Sequence, residues 1–126
     1  MLFEIQSAKN LEAIDRGLRE AAARHQFGII AVHNLKETMA KKGVDFAGEC
    51  LVYEVCNPHQ AKMVLEANGA VSTALPCRIS LYRGPRGYKL ATILPTALMK
   101  MFATPSLLPV AREVEAAVVA IMKEAA

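Results

Sequence analysis

Hydrophobic and polar positions alternate with two distinct periods along this chain, and the changes of period divide it into strands and helices. Leu2 to Ser7 places Phe3 and Ile5 on one side and Glu4 and Gln6 on the other, the period of a half-buried strand. Leu11, Ile14, Leu18, Ala21 and Ala22 then recur at helical spacing behind Asn10, a good N-cap, and predict an amphipathic helix ending near His25. Phe27 to His33 is rich in β-branched residues and reads as a second strand. A short helix over 35–42 follows, with Asn34 and Glu37 at capping-box spacing and Gly43 as its stop.

Phe46 to Cys56 predicts a third strand, with Leu51, Tyr53 and Val55 on one face and Cys50, Val52, Glu54 and Cys56 on the other. Apolar groups on both faces argue for a central place in the sheet. Asn57 caps the next helix, Pro58 stands in its first turn where no N–H is needed, and Asn68-Gly69 ends it. After a loose segment over 71–76, Cys77 to Tyr82 and Tyr88 to Leu94 form a hairpin across Gly84-Pro85-Arg86-Gly87. Pro95 to Pro109 is Met-rich and interrupted by prolines, which predicts a helical turn and a loop. Val110, Val114, Ala117, Val118, Ile121 and Met122 define a last helix. The economical arrangement is one α+β domain over 1–126: a mixed, mainly antiparallel sheet of about five strands, packed with two main helices and a shorter one.

Composition narrows the class without naming a function. The chain is 53% hydrophobic but only 6% aromatic with no Trp, so the core is aliphatic and many small contacts carry the packing. The net charge of +3 is spread along the chain, which gives no reason to expect nucleic acid or a membrane surface as partner. The longest apolar region, 93–110, holds Lys100, Pro95, Pro105 and Pro109 and is a poor membrane span. Three cysteines without scaffold spacing, and a start at Met1-Leu2-Phe3-Glu4-Ile5 that lacks secretory character, lead us to expect reduced thiols and a cytoplasmic location.

The chemistry-bearing residues gather where strand meets helix. Glu54-Val55-Cys56-Asn57-Pro58-His59 is answered by Leu75-Pro76-Cys77-Arg78, so one end of the sheet is expected to collect the thiols of Cys56 and Cys77 with Glu54, His59 and Arg78 around a shared cavity. Antiparallel strands, or a Cys77 set back along the connection, are required for the thiols to meet. A thiol before a helix N-terminus has its thiolate favoured, which makes Cys56 the candidate nucleophile; the bland alternative is a small strand-end filler. No metal is expected: Cys56 and His59 give one Cys-x-x-His pair and Cys77 could add a third ligand, but a four-ligand zinc site normally shows two paired motifs and the second is absent. His33, Glu54 and Tyr53 qualify as proton-transfer groups only if folding brings them to one pocket. The basic hairpin link with Arg83, Arg86 and Lys89 reads as a solvated turn rather than a phosphate grip. Met99, Met101 and Phe102 read equally as a contact surface or as core cover, and copper binding through those methionines is disfavoured by their bulky apolar neighbours.

The sequence resembles the bacterial and archaeal family known as domain of unknown function 302 from about Leu11 to about Pro95. The resemblance runs through Phe27-Gly28, Lys41-Lys42-Gly43, Glu54-Val55-Cys56-Asn57-Pro58 and Leu75-Pro76-Cys77-Arg78. It implies an α+β sandwich similar in topology to the TATA-binding-protein fold and a tendency to form homodimers. The family brings no established activity, substrate or cofactor. Three classes therefore stay open: a small-ligand-binding or sensing module with a pocket near Cys56 and Cys77, which is preferred; a thiol-dependent enzyme or redox protein using Cys56; and a structural interaction module.

Overall fold

A computed structural model describes residues 1–126. Its elements run β1 (Leu2–Ser7), α1 (Leu11–Arg24), β2 (Gly28–Asn34), α2 (Leu35–Lys41), β3 (Cys50–Cys56), α3 (Pro58–Ala67), β4 (Cys77–Gly84), β5 (Gly87–Ile93), α4 (Pro95–Met99) and α5 (Leu107–Ala125). The five strands form one sheet in the order β1-β5-β4-β3-β2. Every neighbouring pair is antiparallel, so the sheet expected to be mixed contains no parallel pair. The α3 connection explains why. It rises from the end of β3, turns through a 3-10 helical segment at Gly69–Ala74, and delivers β4 back at the same end of the sheet.

The predicted caps are present. Asn10, Asn34 and Asn57 each accept from backbone N–H groups of the first turn of α1, α2 and α3, which satisfies donors that the helices cannot pair internally. The hairpin between β4 and β5 closes on Gly84 and Gly87, with Pro85 and Arg86 at the tip. Gly87 has φ 110°, a backbone conformation that residues with a Cβ rarely adopt, so the turn requires glycine there.

Two boundaries and one strand register differ from the sequence expectation. β3 begins at Cys50 rather than Phe46: β2 ends at Asn34, opposite Leu51, and on the β4 side one further bond remains, from Arg83 N–H to the Glu49 carbonyl at 3.1 Å. A register shift between Ile29 and Ala31 interrupts the alternation of β2. The Met-rich segment holds α4 and a 3-10 turn at Lys100–Phe102, and α5 starts at Leu107, two residues before Pro109. Proline is tolerated there because first-turn N–H groups have no helical acceptor.

One face of the sheet carries the main core. Tyr53, Val55, Ile79, Leu81 and Leu90 pack beneath Ile14 and Leu18 of α1 and beneath Val118, Ile121 and Met122 of α5. A second cluster joins Val64 of α3, Val71, Met99 of α4 and Leu107, Val110 and Ala111 of α5, with Val114 touching both clusters. Met99 and Leu107 are thus interior residues, and Met101 is the exposed apolar side chain of that segment. No helix is long and apolar enough to cross a membrane.

Candidate functional site

The antiparallel β3–β4 pair decides which predicted residues meet. Val55 stands opposite Cys77 and Glu54 opposite Arg78, so the end of β3 and the start of β4 are neighbours. Side chains alternate along a strand, and this divides the group in two. Cys77 shares the core-facing side with Val55, while Glu54 and Arg78 project from the other side. Cys56, where β3 breaks into the α3 turn, lines the same core-side cavity as Cys77.

That cavity has a volume of about 40 Å³ and lies between the strand ends, α3, α4 and α5. Its wall is chiefly apolar, from Val55, Val64, Met99, Val110 and Val114 among others; the polar side chains that reach it are those of Asn57 and Gln60. Both are held from outside. Asn57 Oδ1 accepts from the backbone N–H groups of His59 and Gln60 at 3.0 and 3.2 Å, and Gln60 Nε2 donates to Glu113 Oε2 at 3.4 Å. The second bond orients the amide, and Gln60 Oε1 is left buried without a hydrogen-bond partner. A buried acceptor without a donor is uncommon, since it forfeits its hydration. Outside the cavity, Glu115 accepts from Thr96 N–H at 3.1 Å and from Thr96 Oγ1 at 2.6 Å. It thereby ties α4, which has no side-chain cap of its own, to α5 and sets Met99 in the cavity wall.

Burial opposes ionisation of both thiols. Burial pushes Cys56 above the ordinary thiol range, and burial reinforced by the neighbouring Cys56 pushes Cys77 up to about 11. Asn57 accepts from the leading N–H groups of α3, so those donors are not free to bond a Cys56 thiolate. All three cysteines are free, and Cys50 lies at the far end of β3.

On the opposite face Glu54 Oε1 lies 3.4 Å from His33 Nε2 and 3.6 Å from Arg78 Nη2. Arg78 is 66% exposed, and this is a surface ion-pair cluster of small energetic weight. His59 is exposed at the start of α3 and does not line the cavity. Tyr53 joins neither His33 nor Glu54. It is fully buried, donates its hydroxyl to Asp15 Oδ1 at 2.7 Å, and has its pKa pushed far up by burial and by that bond. The proton-transfer trio considered from the sequence is therefore split across two sides of the sheet. No group of three or more His, Cys, Asp or Glu side chains is arranged to hold a metal ion.

Met99, Val110 and Val114 entered the site unannounced, because their elements lie beyond Pro95, far in sequence from the two cysteine blocks. Gln60 carried a signal, its capping-box position, but its amide turns to Glu113 on α5 instead of back to the cap.

No curated protein matches the chain. Among solved structures it is similar to the crystal structure of an uncharacterized conserved protein DUF302 from Bacillus stearothermophilus. The TM-score is 0.93 at 26% sequence identity, over 99% of this chain and 98% of that one. The family model for the domain of unknown function DUF302 matches residues 3–125, and on that match, covering nearly all of its length, the chain belongs to the DUF302 family.

Proposed function

We propose that this protein is a small-ligand-binding or sensing module whose ligand enters the cavity beside Cys56 and Cys77. The observation that carries the reading is an apolar space of about 40 Å³, walled by five elements and bordered by Gln60, whose amide oxygen lacks a donor. Typical organic-ligand pockets span roughly 300–1,000 Å³, so the occupant is either very small or opens the wall by moving side chains such as Met99. The thiol-enzyme reading is weaker here, because both thiols are raised by burial and no base stands beside them.

Xenon tests the reading. Under xenon pressure the methyl resonances of Val64, Val110 and Val114 are expected to shift, and Ala61→Leu, which adds bulk to the wall, should suppress the response. Unchanged methyl shifts would show a space that admits nothing and would sink the reading.

We further propose a reducing, cytoplasmic setting, supported by the three free thiols, and a homodimer formed through an edge strand. The edges support the assembly better than the Met-rich segment does: Ile30 on β2 is 60% exposed and Leu2 on β1 61%, whereas Met99 and Leu107 are buried. Native mass spectrometry of the intact protein is expected to give twice the chain mass of 13.7 kDa, and a monomer at micromolar concentration would refute the assembly.

A further inference from the structure

Three sulfur-bearing side chains from three separate elements line the same small cavity: Cys56 at the end of β3, Cys77 at the start of β4 and Met99 at the end of α4. We propose that the cavity is a binding site for a soft monovalent metal cation of the copper(I) class, with the thiols of Cys56 and Cys77 as principal ligands and the Met99 thioether as the third. The inference rests on the small-ligand reading of this cavity and names its ligand.

Donor chemistry makes the choice. Thiolate and thioether sulfur select soft ions, whereas hard ions require oxygen ligands. No carboxylate or imidazole lines the cavity; Asn57 is engaged by the cap of α3, and Gln60, tied to Glu113 through Nε2, offers only a neutral amide oxygen, a hard donor that a soft ion disfavours. Zinc favours four Cys, His or carboxylate ligands, and no such group of even three is present. A cation content with two or three sulfurs is what this set can satisfy.

Size points the same way. Cysteine ligates as thiolate, so binding at Cys56 and Cys77 releases two protons to solvent and leaves the metal in its original oxidation state, while the neutral Met99 thioether completes the shell. A bare ion fits within about 40 Å³ without opening the wall. From the sequence, His59 stands with Cys56 and Cys77 as a possible ligand and the methionines by themselves disfavour copper; the fold turns His59 outward, leaves Met101 exposed and sets Met99 alone beside the two thiols.

The test is an anaerobic titration of the reduced full chain with copper(I) against a chromophoric copper(I) chelator. The wild type is expected to withhold one equivalent per chain. Cys56→Ser and Cys77→Ser should each weaken retention by about 100-fold or more and Met99→Leu by about 10-fold, in line with the sensitivity of metal sites to loss of their ligands and supporting groups. Cys50→Ser should leave retention unchanged. Circular dichroism and melting of each variant separate lost ligation from lost fold. A wild type that surrenders all copper to the chelator overturns the proposal, as does retention that survives Cys56→Ser or Cys77→Ser in a folded variant. The xenon experiment keeps the two readings apart: xenon entry without copper retention refutes the metal site alone, and failure of both refutes the cavity reading as well.

Discussion

Tyr53→Ala is expected to cost about 3–5 kcal/mol, a large share of the roughly 5–15 kcal/mol that holds a domain folded. Tyr53 is the largest fully buried side chain and sits mid-strand in β3, between β2 and β4, so no neighbouring loop can collapse into the space it would leave. Tyr53→Phe isolates the hydroxyl. It is expected to cost about 1 kcal/mol, because Asp15 is partly exposed and keeps Arg19 at 3.0 Å when the phenol is lost. The pH dependence separates the two contributions. Burial raises the Asp15 pKa, but the hydrogen bonds from Arg19 and Tyr53 and the Arg19 charge together outweigh it and leave the carboxyl below its ordinary value. A carboxyl depressed in the folded state adds stability above its unfolded pKa of about 3.9, and that stability disappears as pH falls through the folded value. The gap between wild type and Tyr53→Phe in urea melts should therefore narrow from pH 7 to pH 3, while the Tyr53→Ala deficit, which is mainly packing, should persist. A Phe gap that is the same at both pH values would show that the hydroxyl does not bond the ionised carboxylate.

The strands and helices around these residues were legible because each carries a local period or cap that the fold respects. Asn10, Asn34 and Asn57 cap where expected, the hairpin closes between Gly84 and Gly87, and the α+β class follows from the order of elements. The cavity was legible only in part. Placing Cys56 and Cys77 at strand ends is a local inference, but their neighbourhood depends on β3 and β4 being antiparallel, a pairing that no local pattern encodes. Alternation then works against the simple list: Glu54 and Arg78 flank the thiols in sequence yet leave from the other face of the sheet. The pairing of Tyr53 with Asp15 joins residues 38 apart and gave no sign in either segment. Nor did Gly17, whose position inside α1 reads as a flaw in a helix until α5 is laid across it.

That crossing sets the second large effect, an expected loss of about 2–5 kcal/mol on Ile121→Ala, in the upper part of that range. Ile121 is fully buried in the cluster that also contains Ile14 and Leu18 of α1. The size of the loss depends on how far α5 can settle into the vacated space, and its C-terminal end is held at several points. Ser7 Oγ donates to the Ala126 carbonyl at 3.2 Å, Lys9 Nζ to the Ala125 carbonyl at 3.3 Å, and Glu124 meets both Arg24 and His25. The helices are already close, since a Cβ on Gly17 would lie 3.2 Å from the Ala125 Cα, a backbone atom that cannot rotate away. Gly17→Ala should accordingly forfeit the gain of about 0.5–1 kcal/mol that alanine normally brings to a helix interior, because the methyl must push α5 outward. The two substitutions are expected to couple: once Ile121 is alanine, α5 can shift to accommodate the Gly17→Ala methyl, and the double variant should be more stable than the sum of the singles predicts by at least about 0.5 kcal/mol. Urea melts of the four proteins at constant m-value measure this directly. Additive losses, or an Ile121→Ala cost below about 1 kcal/mol, would show that the end of α5 is loosely seated against α1.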